Sequence, residues 1–106
     1  MKRGDLVTVA VSGDYGKPRP ALVVQADAFD RHPSVIVLPL TSEIHDTPLF
    51  RVTVAAGEST GLRTTSQIMV DKATAVPRVK LGRRMGQVDS ATMQAVDEAL
   101  RGFLGL

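Results

Sequence analysis

Over the first three quarters of the chain, apolar residues come in short runs, alternating with polar ones or continuous. Leu6-Val7-Thr8-Val9-Ala10-Val11 is near-alternating and β-branched, and predicts a strand. Residues 12–18 hold two glycines and end on Pro18, which reads as a loop. Ala21-Leu22-Val23-Val24 is wholly apolar and predicts a central strand, with Asp27 capping a single helical turn through Phe29. Val35-Ile36-Val37-Leu38 predicts a second buried strand, stopped by Pro39. After a loop at 44–48, Phe50-Arg51-Val52-Thr53-Val54 alternates as a half-exposed strand. A turn region follows at 57–61. Residues 66–70 and 73–76 read as two strands, or one strand bent around Asp71-Lys72, and 85–88 as a last short one.

The tail changes period. Met93, Val96, Leu100, Phe103 and Leu104 recur at helical spacing, with Asp97, Glu98 and Arg101 between them and Ser90 placed as N-cap. Many short strands and one amphipathic helix predict a mainly β fold, a curled sheet or small barrel with a C-terminal helix packed on it. Phe29 and Phe50 are expected in the core and Phe103 on the helix's apolar face.

Composition narrows this picture. The 106 residues are 43% apolar, which suits one domain spanning 1–106; so small a core gains from pairing with a second copy. With no cysteine, disulfides and thiol chemistry are excluded, and a cytoplasmic setting is compatible. The N-terminus runs straight into a strand, so neither a signal peptide nor a membrane span is expected. The formal charge is only +2, but Lys72, Arg78, Lys80, Arg83 and Arg84 follow one another with no acid between them. Lys2, Arg3, Lys17 and Arg19 cluster near the start, and the acids Asp89, Asp97 and Glu98 sit in the tail. A one-sided basic face suits a polyanion such as RNA, although a solvated basic surface gives the same pattern.

Three polar features stand out against the apolar runs. Arg19 lies between Pro18 and Pro20, whose rings limit its backbone and would present a guanidinium fork to a phosphate. Thr41 and Ser42 follow a buried strand, where hydroxyls either close a turn or donate to a phosphate oxygen. Asp71 ends an apolar run and is either a turn residue or an acid that orients an arginine or accepts a proton. His32 and His45 fall in loops, where histidines are ordinarily solvated. No His, Cys and Asp spacing suits a metal, so neither metal nor cofactor is expected. Gly13 and Gly16 lack the following helix and Lys-Ser/Thr pair of a phosphate-binding loop.

Read in order, Arg3-Gly4-Asp5, then Arg19-Pro20-Ala21-Leu22-Val23-Val24, Val37-Leu38-Pro39-Leu40-Thr41-Ser42, Gly61-Leu62-Arg63, Val70-Asp71 and Val96-Asp97-Glu98-Ala99-Leu100 resemble the MazF/PemK (Kid) toxin family over nearly the whole chain. The resemblance implies an SH3-like, CcdB/Kid-type β-barrel with a C-terminal helix, acting as a homodimer. It implies a toxin of a type II toxin–antitoxin system that cuts single-stranded RNA at short motifs. It assigns Arg19 as the catalytic arginine and Thr41 as the active-site threonine with Ser42 beside it. Asp71 would be the acid near the reacting ribose. It also implies a cognate antitoxin with an acidic, flexible segment that displaces RNA. The chain departs from the family in a shorter loop before Arg19, in Met69 where Kid-like members carry an arginine, and in Lys72 where a glutamine is common.

The expected chemistry is attack of the RNA's own 2′-hydroxyl on the neighbouring phosphorus, giving a cyclic phosphate and a 5′-hydroxyl without a metal. Arg19 would stabilise the phosphorane charge, Thr41 would donate to a non-bridging oxygen, and Asp71 would act as base or as orienter of Arg19. Tyr15 is the candidate for base stacking, and Lys17, Ser42, Lys72, Arg78, Lys80, Arg83 and Arg84 the candidates for holding RNA. Two other readings share the fold. One is a CcdB-like gyrase poison, which would need a terminal Trp-Gly-Ile where this chain has Leu104-Gly105-Leu106. The other is an SH3-like module that binds RNA or protein without catalysis.

Overall fold

The computed structural model describes residues 1–10 and 17–106. Among them are seven strands, β1 (Asp5–Ala10), β2 (Pro18–Val23), β3 (Ser34–Thr41), β4 (Arg51–Val54), β5 (Ser66–Met69), β6 (Thr74–Pro77) and β7 (Leu81–Gln87), then helix α1 (Ser90–Leu104). Single 3-10 turns at Asp27–Phe29, Val70–Lys72 and Arg78–Lys80 join some of them. All pairings are antiparallel, in the order β4-β5-β3-β2-β1-β7, with β6 also on β3.

β3 is the hub. It pairs with β6 through Ser34–Val37, with β2 through Val37–Pro39 and with β5 through Leu40 and Thr41. Pro39, expected to stop this strand, instead marks where β3 changes partner from β2 to β5. The change of partner curls the sheet, and the turn between β4 and β5 returns to touch β7, where the Gln87 N–H donates to the Ser59 carbonyl at 2.9 Å. No ladder joins β4 to β7 among the described residues, so the expected small barrel is an open curled sheet.

β2 begins at Pro18, earlier than expected, so Arg19 sits in a strand opposite Val9 rather than in a turn. β3 pairs with β2 only from Ala21 onward. The missing amide hydrogens of Pro18 and Pro20 therefore cost no ladder bond on that side. β7 is longer than expected and irregular. Val9 faces Leu81, Val7 faces Arg84 and Leu6 faces Gly86, so β7 carries an extra residue in each interval. Such bulges re-aim side chains.

The central strands bury both faces, which explains their unbroken apolar runs. Leu6, Leu22, Leu38, Leu40 and Ile68 pack with Val96 of α1, flanked by Phe50, Met93 and Leu100. Val7, Val9, Ala21, Val23, Val35 and Val37 form the second cluster, closed by Val76 and Leu81. Phe50 and Phe103 stand with ring centres 6.1 Å apart. Phe29, expected in the core, is 59% exposed, because its turn lies outside both clusters.

The helix starts one residue later than its cap. Asp89, not Ser90, is the N-cap, its carboxylate accepting the Thr92 N–H at 2.7 Å. Thr92, through its hydroxyl first and its N–H second, holds the Asp89 carboxyl below its ordinary pKa. Gly105, in the left-handed region, ends the helix by donating to the Arg101 carbonyl. Arg3 ties the helix to the sheet through Asp97, and its Nε donates to the Val24 carbonyl at 2.9 Å. No helix among the described residues is long and apolar enough to cross a membrane.

Candidate active site

One open cavity of about 1050 Å³ lies where β1, β2, β7, the end of β3, the start and end of β5 and the β4–β5 turn converge. β2 supplies Arg19 with its flanking prolines, and β3 supplies Thr41, followed by Ser42. β7 supplies Arg83 and Met85, β1 supplies Thr8, and the turn supplies Gly61 to Thr64. The described lining residues include three arginines (Arg19, Arg63, Arg83) and several hydroxyls, but no carboxylate and no imidazole.

The Thr41 hydroxyl accepts the Glu43 N–H at 3.1 Å, which leaves its own hydrogen to donate into the cavity. The loop after it is fixed by Gln67, a buried amide on β5. Gln67 accepts the His45 N–H at 3.0 Å, donates to the His45 carbonyl at 2.8 Å and reaches the Thr53 hydroxyl at 3.3 Å. A buried amide with both ends satisfied is a rigid strut. The sequence signal for it was a lone glutamine in an apolar strand. On β7, the Arg83 N–H donates to the Thr8 hydroxyl at 3.0 Å. Arg83 and Met85 line the cavity, whereas Arg84 turns away and donates to Asp5 at 3.0 Å and to Gln87 at 3.2 Å.

The remaining candidates lie elsewhere. Asp71 is not among the cavity-lining residues. Its carboxylate holds Arg51 of β4 through two bonds of 3.0 and 3.4 Å, both side chains largely buried. The arginine it orients is therefore Arg51 and not Arg19. Arg78 is used in the fold, donating to the His32 carbonyl at 2.7 Å and the Phe29 carbonyl at 3.3 Å. Lys17, Lys72 and Lys80 are exposed and outside the cavity lining. Tyr15 lies outside the described residues. His45 stands 3.9 Å from Glu43, and His32 meets the backbone of Ser34, so neither histidine lines the cavity. Arg63, read in the sequence only as part of the Gly61-Leu62-Arg63 motif and not as a site residue, also lines the cavity. Among the described residues, no three His, Asp or Glu side chains are grouped to hold a metal ion.

Comparison with known proteins bears on this arrangement. Residues 2–104 match the family model described as PemK-like, MazF-like toxin of type II toxin–antitoxin system. The chain is 46% identical over 107 residues to a probable endoribonuclease MazF of Mycolicibacterium smegmatis, covering 100% of this chain and 98% of that protein. It is 29% identical over 111 residues to endoribonuclease EndoA of Bacillus subtilis, covering 100% and 96%. A solved endoribonuclease in complex with its cognate antitoxin, from a mycobacterial species, superposes with a TM-score of 0.80 at 30% identity, covering 100% of this chain and 96% of that one. With a family model spanning nearly its full length and a relative at this identity, the chain belongs to the PemK-like, MazF-like toxins of type II toxin–antitoxin systems.

Proposed function

We propose that this chain, an endoribonuclease toxin, cuts single-stranded RNA without a metal by attack of the RNA's own 2′-hydroxyl. The carrying observation is that Arg19, Thr41 and Ser42 meet on one cavity whose described lining holds three arginines and no acid. A phosphodiester seated there gains a charge-assisted fork from Arg19 and a hydroxyl hydrogen from Thr41, with Ser42 beside it. As the 2′ oxygen bonds to phosphorus and the 5′ oxygen leaves, charge grows on the non-bridging oxygens. Donors already in place stabilise that charge with no reorganisation.

The described lining offers no carboxylate or imidazole to take the 2′ proton. The 2′ proton leaves as the new bond to phosphorus forms, and the departing 5′ oxygen gains one. Asp71 serves the Arg51 pair and not the proton. Lys17, Lys72 and Lys80 steer the RNA backbone at longer range, and Tyr15 stacks on a base. Residues 1–106 act as one unit. It works as a homodimer in the cytoplasm, where RNA is at hand. The antitoxin, through an acidic and flexible segment, competes with RNA for the arginines. Support for a partner comes from the relative solved with its cognate antitoxin, and support for pairing from the exposed Leu49, Phe103, Leu104 and Leu106.

Purified protein incubated with a long RNA in EDTA tests this. Cuts at defined sites with cyclic-phosphate and 5′-hydroxyl ends are expected. Intact RNA, or cutting that needs added metal, would overturn the proposal.

A further inference from the structure

We infer that Arg63 grips a second phosphate of the RNA, one flanking the bond that is cut, so that it sets how tightly the strand is held rather than how fast it breaks. This rests on the nuclease reading of the same cavity.

Arg63 is exposed, lines the cavity with Arg19 and Arg83, and makes no ion pair or side-chain hydrogen bond with a described residue. An exposed arginine alone means little, since most such charges are merely solvated. Its mount is what distinguishes it. The 57–62 turn closes on itself through Gly57 N–H to the Leu62 carbonyl at 3.2 Å, Gly61 N–H to the Gly57 carbonyl at 3.0 Å and Leu62 N–H to the Thr60 hydroxyl at 3.2 Å. It is pinned to β7 by the Gln87 to Ser59 bond. Gly61 has φ +74 and lies so close to β7 that a Cβ there would collide with the Met85 carbonyl. A Cβ on Gly86 would likewise collide with the Ser59 carbonyl. Leu62 is anchored in the core at 7% exposure, one residue before Arg63. The backbone that carries Arg63 is thus fixed at the cavity wall, while its guanidinium is uncommitted.

The size of the cavity sets the ligand. Pockets of about 300–1,000 Å³ hold one drug-sized molecule. A cavity of about 1050 Å³ has room for more than one nucleotide. The cavity is lined by three arginines, more than a single phosphate can engage. A strand with successive phosphates can engage them all. A rigid fork favours arginine over lysine for such a contact.

The test compares the parent with Arg63→Gln, Arg63→Lys and, as a control outside the cavity, Arg101→Gln. Binding to a single-stranded 2′-O-methyl RNA, which cannot be cut by 2′ attack, is measured across a salt series. For Arg63→Gln, about tenfold weaker binding is expected, with the slope of log affinity against log salt smaller by about 0.7, the share of one phosphate contact on a single strand. Arg63→Lys should keep the slope, and Arg101→Gln should match the parent. On cleavable RNA, Arg63→Gln should raise KM about tenfold with kcat within about threefold. A parental slope and affinity in Arg63→Gln would overturn the grip, while parental cutting kept the nuclease reading. A parent that binds but does not cut, with the slope still lowered by Arg63→Gln, would keep the grip and remove the nuclease. A parent that neither binds nor cuts would remove both.

Discussion

Beside the helix and along the outer strands, arginines meet carboxylates: Arg3 reaches Asp97, Arg51 holds Asp71 and Arg84 holds Asp5. Around the cavity, Arg63 and Arg83 share a wall with Arg19 and hydroxyls, with no acid in the described lining. The same residue type therefore does two jobs. Where a carboxylate faces it, an arginine fastens one element to another and its charge is neutralised locally. Where an arginine such as Arg63 lines the cavity with no described carboxylate beside it, its charge is available to a ligand. Net charge, here only +2, hides this difference, because it sums all cations and acids without regard to where they lie.

The comparison breaks most clearly at Arg19. Replacing Arg19 by Ala should lower the cutting rate by about a hundredfold or more, the usual effect of losing an electrostatic donor to the transition state. Arg19 is exposed at a strand end, so circular dichroism and melting temperature should match the parent. Rate assays on a long RNA beside a melting curve check both. A variant that cuts at the parental rate would leave the cavity without its chemistry.

Asp71 tests the other region. Asp71→Asn should cost stability, about 2 kcal/mol, because it leaves the largely buried Arg51 without its partner. Cutting by the folded variant should stay within about threefold of the parent, since an acid outside the cavity moves no proton there. Urea unfolding and single-turnover cleavage read the two effects separately. If stability held while cutting fell as far as in Arg19→Ala, Asp71 would belong to the chemistry and the division between the regions would fail.

Thr41 sharpens the cavity side. Its hydroxyl accepts a loop N–H and keeps one hydrogen for the phosphate. Thr41→Val removes both functions and should slow cutting about tenfold, in line with loss of a hydrogen bond to a charged group. Thr41→Ser should restore most of the rate. Equal rates for the valine variant and the parent would assign the hydroxyl to the loop alone.

Much of the fold was legible because strand and helix periods are local. The runs at Leu6, Leu22, Leu38 and Ile68 mark β1, β2, β3 and β5, and the tail's spacing marks α1. Arg19 and Thr41 were legible as candidates because prolines and hydroxyls beside apolar strands are unusual in themselves. What stayed hidden depends on the register between distant strands. Alternation along β7 sends Arg83 and Arg84 to opposite faces, and the two extra residues in that strand, which no local pattern announces, set which partner each meets on β1. Arg84 finds Asp5 across 79 positions and Arg78 finds the His32 carbonyl across 46, so a basic run that looked like one surface is divided among three uses. Pro39 looked like a stop because a proline cannot donate to a ladder. It is tolerated where β3 exchanges one neighbour for another. The partner of Asp71 stayed hidden because nothing near it in sequence reveals Arg51, which lies 20 positions earlier.

The smallest effect is expected at Asp89, outside the cavity at the start of α1. Its carboxylate is held by the Thr92 hydroxyl and accepts the Thr92 N–H, and these two bonds, the hydroxyl's first, lower its pKa from the ordinary 3.8. A group with a depressed folded pKa contributes stability that is complete above its unfolded value and fades as pH falls through the folded one. Asp89→Ala should therefore lower the melting temperature slightly at neutral pH. The gap from the parent should hold as pH is lowered toward 3.8 and close below it, once the parent's carboxyl is protonated too. Cutting at neutral pH should be unchanged, since the helix cap touches no residue of the cavity wall. Thermal melts at stepped pH test the sign: a gap that widened in acid would mean that the carboxylate destabilises the helix it caps. Altered cutting at an unchanged melting temperature would mean that the helix and the cavity are coupled, and that the cavity and the carboxylate-paired arginines outside it do not divide the molecule as proposed.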